Sequence, residues 1–155
     1  MKVIVLGAGI GGTTLALTLQ RAGLDFTVLE QAESFGEIGA GVQLSSNAVK
    51  VLGRLGLEDT LAKVCCEPDS HKFKDWATGE TILRTPLCPE VRDAFGAPYF
   101  HCHRPDLLDA LTAGLDGNQI RFGFKVESVG EDDDGPWVCS VDGEVVRGDI
   151  LIGAD

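Results

Sequence analysis

A glycine-rich run near the N-terminus has residue types and a spacing that suit phosphate binding. Residues 7–12 read GAGIGG, which matches the pattern GxGxxG. In this pattern Gly7 allows a tight turn, Gly9 lets a pyrophosphate approach the backbone, and Gly12 permits close packing of a helix. The free N–H groups and positive dipole end of a helix that starts here would face the phosphates. The run therefore predicts a site for the diphosphate of a dinucleotide.

A carboxylate lies at a second informative position. Glu30 ends the apolar segment DFTVLE, which follows the predicted helix. At the end of the second strand of a dinucleotide-binding unit, a carboxylate accepts hydrogen bonds from ribose hydroxyl groups and would repel a 2′-phosphate. A glycine-rich turn alone is a weak signal, so the prediction depends on the glycines, Glu30 and the elements around them together.

Three elements must position these groups. Lys2–Leu6 is a continuous apolar run, which is typical of a strand buried on both faces of a parallel sheet. Ile10–Ala22 carries small and apolar residues on one face, and Gly23 follows as the expected C-terminal cap. Asp25–Glu30 reads as the second strand. The order strand, helix, strand predicts an α/β fold that begins with a Rossmann-like βαβ unit.

The rest of the chain adds short elements, among them an inserted β-hairpin and a meander. Helices are predicted around Val49, Leu52 and Leu55, over Glu58–Val64, and from Pro105 to about Leu115. Strands are predicted at His71–Trp76, Glu80–Thr85, Gln119–Phe122, Phe124–Gly130, Trp137–Val141, Glu144–Arg147 and Asp149–Asp155. Pro86–Tyr99 is predicted to be a loop. Because no covering element follows the last apolar strand, the fold is expected to be incomplete at its C-terminus.

Charge and hydropathy exclude several classes of partner. With 24 acidic and 13 basic residues, the net charge is −11, and such a surface repels a phosphodiester backbone. We therefore expect no nucleic-acid partner. The N-terminal apolar run is too short for a signal peptide or a membrane span, so we expect no membrane span in these residues and a cytoplasmic location.

The cysteines do not form a recognisable ligand or disulfide pattern. The five residues are Cys65, Cys66, Cys88, Cys102 and Cys139, an odd set without CxxC spacing. This set predicts free thiols in a reducing compartment, and neither a disulfide framework nor a zinc ribbon. The adjacent pair Cys65 and Cys66 is interpreted as partly buried and structural.

Two histidines and two tryptophans are further candidate site residues. His101 and His103 alternate, so both could project from one face of an extended segment and, with a cysteine, resemble a metal site. No other ligands have metal spacing, so we interpret them as loop histidines and predict no metal ligand. Trp76 and Trp137 lie in strand-like segments and are interpreted as packing residues.

Four segments together resemble a known family. They are GAGIGGTTLALTLQRAGLDFTVLEQ (7–31), EIGAGVQLSSNA (37–48), HRPDLLDAL (103–111) and GDILIGAD (148–155). In this order and at these intervals they resemble the flavoprotein aromatic hydroxylases of the salicylate and 3-hydroxybenzoate hydroxylase type. The resemblance covers the whole chain and implies that Gly7, Gly9 and Gly12 hold the FAD pyrophosphate while Glu30 holds the adenosine ribose.

The resemblance also implies roles for residues in the later segments. Ala40, Gly41 and Val42 would lie beside the flavin and its phosphate arm. Arg104 would contact the phosphate region of FAD, a role that suits a permanently ionised guanidinium. Asp155 would take part in binding the flavin and the pyridine nucleotide.

The family implies an activity that these residues alone do not complete. Its members use FAD and NADH or NADPH to insert one oxygen atom of O2 into an aromatic or polycyclic small molecule. The second flavin motif of the family, GDAAH, does not occur in residues 1–155, and the substrate domain is also expected outside them. These residues are therefore expected to be the N-terminal part of an FAD-binding domain, inactive alone and without a catalytic acid or base. Two alternatives stay open: a non-catalytic FAD- or nucleotide-binding module, and a related flavin dehydrogenase or reductase.

Overall fold

The computed structural model describes residues 1–36, 40–116 and 118–154. The elements are β1 (Lys2–Leu6), α1 (Ile10–Arg21), β2 (Asp25–Leu29), β3 (Gly41–Leu44), α2 (Ser46–Arg54), α3 (Glu58–Val64), β4 (Ser70–Lys74), β5 (Thr81–Pro86), α4 (Glu90–Phe95), β6 (Phe100–His103), α5 (Arg104–Thr112), β7 (Ile120–Arg121), β8 (Val126–Asp132), β9 (Gly135–Ser140), β10 (Val145–Arg147) and β11 (Ile150–Gly153). Contacts divide the chain into a first unit, Met1–Ile38 with Leu108–Asp155, and a second unit, Gly39–Leu107. No helix within the described ranges is long and apolar enough to cross a membrane.

The first unit is organised around a four-stranded parallel sheet. Its strand order is β11-β1-β2-β7, and β1 pairs in parallel with both of its neighbours. Val5 lies opposite Val28 of β2 and Ile152 of β11. With α1 connecting β1 to β2, this arrangement confirms the predicted α/β, Rossmann-like fold.

Strand β1 is apolar from Val3 to Leu6 because both of its faces are covered. Val3 and Val5 belong to a buried cluster that includes Ala16 and Leu19 of α1. Ile4 points to the other face and packs in a second cluster with Leu29, Phe124, Val138 and Val146. Burial on two faces removes the alternation of polar and apolar residues that a half-exposed strand would show.

The predicted meander forms the layer behind Ile4. Strands β8, β9 and β10 make an antiparallel sheet in the order β10-β9-β8. Across β9, Arg147 of β10 donates two hydrogen bonds, of 2.8 and 2.9 Å, to the carboxylate of Asp132 at the end of β8. The hydrogen bonds from Arg147 hold the pKa of Asp132 below its usual value.

The second unit contains two antiparallel strand pairs and helices α2, α3 and α4. The hairpin β4–β5 was predicted and is confirmed. The pairing of β3 with β6 was not predicted, because Gly36–Gly41 read as a loop and Phe100–His103 lies more than 50 residues further along the chain. In the structure Gln43 lies opposite His101 and Leu44 opposite Phe100. Two short segments far apart in sequence become strands only through this pairing.

One predicted loop is wrong in part. The segment Pro86–Tyr99 contains helix α4, which ends at Gly96 with a left-handed backbone conformation, φ 68°. Helix α4 has six residues and none of them is buried, so it lacks the apolar periodicity that identifies a helix in sequence.

The prediction of five free thiols is also wrong. Cys65, at the C-terminal end of α3, forms a disulfide with Cys102 in β6. Their separation of 37 residues follows no spacing rule, so only the position of β6 beside the end of α3 reveals the pair. Cys66 is exposed, contrary to the expectation of partial burial, and its backbone pairs with that of His101 through two hydrogen bonds of 2.8 Å.

The two tryptophans differ in their surroundings. Trp137 in β9 lies over Gly130, where an added Cβ would come within 2.5 Å of the indole, so its packing role is confirmed. Trp76 follows β4 in the hairpin turn and is 95% exposed, so its assignment as a packing residue is wrong. The turn between β4 and β5 carries Trp76 away from the strand pairing on which the prediction relied.

We predict that the disulfide contributes measurably to the stability of the second unit. Replacing Cys65 by serine should lower the free energy of unfolding by roughly 4 kcal/mol, because a cross-link across a loop of this length restricts the unfolded chain. Urea denaturation of the oxidised protein measures the change. Cys66→Ser, which removes an exposed free thiol, serves as the control and should change stability by less than about 0.5 kcal/mol. Equal stability of the two variants would show that the cross-link is absent in solution.

Candidate functional site

The glycine loop has the conformation that the motif requires. Gly7 has φ +98°, a value that side-chain-bearing residues rarely adopt, and its N–H donates to Leu29 O at 2.8 Å. A Cβ added at Gly12 would lie 1.9 Å from Gly7 O, so α1 can approach the turn only because residue 12 is glycine. These two glycines are thus required by the fold itself.

Gly9 differs from these two glycines. A Cβ at this position would meet only Ala154 O, at a distance of 4.0 Å, so no close internal contact within the described residues demands glycine. Gly9 is also the N-cap of α1, with an extended backbone. An open position at the start of a helix fits the predicted approach of a phosphate to the backbone.

The start of α1 is suited to a negatively charged ligand. Its first turn contains no acidic residue, and within the described chain no side chain caps it by a hydrogen bond. The hydroxyls of Thr13 and Thr14 instead donate backwards, to Gly9 O at 2.8 Å and to Ile10 O at 2.6 Å. The first N–H groups of the helix are therefore not capped by a side chain of its own first turn, and its positive dipole end faces the glycine loop.

Glu30 is fixed beside this loop by backbone hydrogen bonds. Its Oε2 accepts from Ala8 N at 2.7 Å, and its Oε1 accepts from Ala32 N at 2.9 Å. Each carboxylate oxygen has a further lone pair and can accept a second hydrogen bond, as from a ribose hydroxyl. The structure thus brings Gly7, Gly9, Gly12 and Glu30 together within the first unit.

Sequence reasoning missed Ala8 as a member of this arrangement. The motif leaves its second position open, and a backbone N–H carries no signature in the residue type. The carboxylate of Glu30 is consequently tied to the glycine loop itself, which the pattern alone did not predict.

A second group of predicted residues meets within the second unit. Gly41 of β3 lies opposite His103 of β6, and Arg104 N donates to Ala40 O at 3.3 Å. Val42 follows in β3 and Arg104 begins α5, and both are half-buried. The pairing of β3 with β6 therefore brings Ala40, Gly41 and Val42 next to Arg104.

Asp155, the remaining predicted residue, lies outside the described residues. The residue before it, Ala154, donates from N to Leu6 O at 2.8 Å, and its oxygen is the atom that faces Gly9. The end of β11 therefore reaches the glycine loop.

The two histidines of β6 are strand residues, and the prediction of loop histidines is wrong. Because they alternate, they lie on one face of β6, as the extended segment suggested. In the described ranges no three His, Cys, Asp or Glu side chains are grouped so that they could hold a metal ion.

We predict that Gly12 is required by packing before any ligand binds. Gly12→Ala should destabilise the protein by about 1 to 3 kcal/mol, because the new methyl group overlaps Gly7 O. Gly11→Ala is the matched control, since a Cβ there meets nothing within 4 Å and alanine favours a helix. Urea denaturation of both variants in the absence of FAD tests this difference. Two equally stable variants would contradict the close contact.

Comparison with known proteins identifies the family of the chain. A family model described as an FAD binding domain matches residues 1–155. The 6-hydroxynicotinate 3-monooxygenase of Bordetella bronchiseptica is 37% identical over 154 residues, which cover 99% of this chain and 40% of that enzyme. The 3-amino-4-hydroxybenzoate 2-monooxygenase of Streptomyces cremeus is 38% identical over 155 residues, which cover 100% of this chain and 39% of that enzyme.

A solved structure extends the agreement to three dimensions. The crystal structure of Klebsiella pneumoniae HpxO complexed with FAD and uric acid matches with a TM-score of 0.87 and 31% identity, over 100% of this chain and 39% of that chain. The chain thus spans about 40% of the length of the curated relatives it matches. The resemblance to aromatic hydroxylating FAD monooxygenases is confirmed. Since a family model covers the whole of it, the chain belongs to the FAD binding domain family.

Proposed function

We propose that this chain supplies the N-terminal part of the FAD-binding domain of a monooxygenase that hydroxylates a small aromatic molecule with NADH or NADPH as co-substrate. The observation that carries the proposal is the glycine loop with Glu30 hydrogen-bonded to Ala8 N–H at the start of α1. This arrangement supplies what the ADP half of FAD needs, which is backbone donors for the pyrophosphate and a carboxylate for the ribose.

In this proposal the residues of the two units have separate tasks. Gly9 leaves room for the pyrophosphate, the N-terminus of α1 provides N–H groups and a positive dipole end, and Glu30 accepts hydrogen bonds from the adenosine ribose. In the second unit Ala40, Gly41 and Val42 lie along the phosphate arm and the flavin, and Arg104 contributes a cation near the phosphates. Asp155 is assigned to the flavin and the pyridine nucleotide by resemblance alone.

Charge explains why backbone groups must carry so much of this binding. A chain with a net charge of −11 repels a diphosphate at long range. Backbone N–H groups attract the anion locally without adding side-chain charge. The carboxylate of Glu30 would repel an additional 2′-phosphate, so the proposal assigns this site to FAD and not to NADPH.

FAD supplies the redox chemistry when it is bound. In this chemistry two electrons pass from NAD(P)H to O2, so that one oxygen atom enters the ring and the other leaves as water. The contribution of this chain is to bind and orient the cofactor. We assign the second flavin motif and the substrate domain to sequence outside residues 1–155, and the coverage of the relatives supports this assignment. Residues 1–155 alone would then not turn over substrate. A cytoplasmic location stays a prediction.

The names of the relatives suggest the class of substrate. They act on 6-hydroxynicotinate and 3-amino-4-hydroxybenzoate, and HpxO is seen with uric acid. Each of these molecules is a planar ring bearing oxygen substituents. We propose a hydroxylated or oxo-substituted aromatic ring as the substrate class here.

We predict that Glu30 contributes to FAD affinity through its carboxylate. Glu30→Ala should raise the Kd for FAD by roughly 10- to 100-fold, because a hydrogen bond to a charged group contributes about 1.5 to 3 kcal/mol. Glu30→Gln keeps an acceptor oxygen and the side-chain size, so it should retain more affinity than alanine. Titration of the chain with FAD, followed by quenching of flavin fluorescence, measures both. Unchanged affinity in Glu30→Ala would remove this residue from the site.

The proposed function is tested by a substitution that blocks the phosphate position without disturbing the fold. Gly9→Val should retain the helix content and melting temperature of the parent but lose stoichiometric FAD binding, since its side chain would occupy phosphate space. Gly11→Val controls for valine near the start of α1. A Gly9→Val protein that holds one equivalent of FAD would refute the assigned site.

Activity is tested in the protein encoded by the complete reading frame that contains these residues. NADH and NADPH oxidation should rise on addition of 6-hydroxynicotinate or 3-hydroxybenzoate, with a hydroxylated product detected by mass spectrometry. NAD(P)H oxidation without any hydroxylated product would favour a flavin reductase or dehydrogenase. If the encoded protein binds FAD but lacks a GDAAH-type segment and oxidises no NAD(P)H, the result would favour a non-catalytic binding module.

A further inference from the structure

The strand pair β3–β6 has one polar face whose side chains have no role in the proposed FAD contacts. Gln43 lies opposite His101, so their side chains share one face of the pair. Leu44, Phe100 and Cys102 are buried on the other face. The side chains of the polar face therefore do not belong to the apolar core, and packing in that core does not explain their residue types.

Three rings and an amide form a cluster on this face. The rings of His71 and His101 stack with centroids 5.7 Å apart, and Tyr99 meets His71 edge-on at 5.2 Å. Tyr99 also contacts His101 at 5.7 Å, and its hydroxyl donates to Gln43 Oε1 at 2.7 Å. Because Gln43 accepts through its oxygen, its NH2 group keeps two donors. We call His71, Tyr99, His101 and Gln43 the imidazole cluster.

Two nitrogens in the imidazole cluster are not used by the described residues. Nε2 of His71 and Nε2 of His101 are both buried and have no hydrogen-bond partner in the part of the chain that the structure describes. A buried polar atom without a partner is unfavourable, and native proteins satisfy most such groups. Both residues are only half-buried as a whole, and χ2 of histidine is soft, so a small ring rotation can present either nitrogen to a ligand.

An exposed apolar surface continues from His71. Phe73 lies two residues along β4, on the same side as His71, and pairs directly with Leu83 of β5. Phe73 is 61% exposed and Leu83 is 54% exposed. Polar donors in the imidazole cluster thus adjoin an apolar surface, which is the composition of a small-molecule site for a flat ring.

The imidazole cluster also adjoins the residues assigned to FAD in the second unit. Gln43 directly follows Val42 in β3, and His101 lies opposite it, three residues before Arg104. Gly41 lies two residues before Gln43 on the same face of β3, and strand residues rise by about 3.3 Å each, so a ligand at Gln43 and His101 lies about 7 Å along the strand from Gly41.

We propose that the imidazole cluster is a substrate-contact site, in which Nε2 of His71, Nε2 of His101 and the amide of Gln43 donate hydrogen bonds to the oxygen substituents of a planar aromatic ring. This inference rests on the proposed function, because it takes its ligand class and the nearby flavin position from it. Phe73 and Leu83 form an apolar wall for the ring. Since the cluster contains no Lys or Arg, it selects for a hydroxyl or oxo group as a hydrogen-bond acceptor and not for charge alone.

Imidazole NMR tests this proposal directly, because the chain has only three histidines. The 155-residue chain labelled with 15N-histidine is titrated with 3-hydroxybenzoate, in the absence and in the presence of FAD. The Nε2 resonances of His71 and His101 should shift with a common Kd. His103, on the same face of β6 but outside the cluster, should not shift and serves as an internal control. Benzoate, which lacks the hydroxyl group, should bind at least about tenfold more weakly.

Matched variants separate a direct contact from a structural effect. His71→Phe and His101→Phe keep a stacked ring but remove the nitrogens, and each should raise the Kd for 3-hydroxybenzoate at least about tenfold. His103→Phe should leave this Kd unchanged. All three variants should keep the FAD affinity of the parent chain.

The outcomes distinguish this inference from the proposed function. If the unsubstituted chain binds FAD but 3-hydroxybenzoate shifts no histidine, or shifts His103 equally, the imidazole cluster is not a substrate site and the inference fails alone. If FAD does not bind while His71 and His101 shift as expected, the proposed function fails and the ring-binding site stands. The NMR titration of the unsubstituted chain decides the matter even if a phenylalanine variant does not fold.

Discussion

The close approach of helix α1 to the turn after β1 is the constraint on which the first unit depends. No side chain can stand at Gly12, because its Cβ would lie 1.9 Å from Gly7 O. With α1 seated in this way, Ala16 and Leu19 reach Val3 and Val5, and the helix covers one face of the sheet. The same seating directs the first N–H groups of the helix towards the glycine loop. The core contact and the predicted anion site are therefore consequences of one geometric requirement.

The glycine loop shows how an acidic chain can accommodate an anionic cofactor. Glu30 places a carboxylate next to the predicted phosphate position, which would be unfavourable if its charge were unopposed. The N–H groups of Ala8 and Ala32 stabilise this carboxylate and fix its orientation. Its remaining lone pairs are the ones that can serve a ribose. A single side chain thus joins the end of β2 to the glycine loop.

In the second unit, the β3–β6 pair has the corresponding organising role. One register brings Gly41 opposite His103 and Gln43 opposite His101. The disulfide of Cys102 and the backbone pairing of Cys66 with His101 tie β6 to the end of α3. The polar face of this pair therefore rests on a cross-linked strand, and its histidines and Gln43 occupy defined positions. Such positions suit recognition of a small rigid ligand better than a mobile loop would.

The sequence by itself determined the local elements of the first unit and the prediction of an FAD site there. The continuous apolar run of β1, the small-residue face of α1 and the carboxylate at Glu30 each have a local cause, so they could be recognised from neighbouring residues. The family resemblance added Ala40, Gly41, Val42 and Arg104, which the structure brings together. The tertiary structure alone decided the β3–β6 pairing, the partner of Cys65 and the imidazole cluster. These features join residues tens of positions apart, and their contacts arise from the path of the whole chain, which no local periodicity or spacing records.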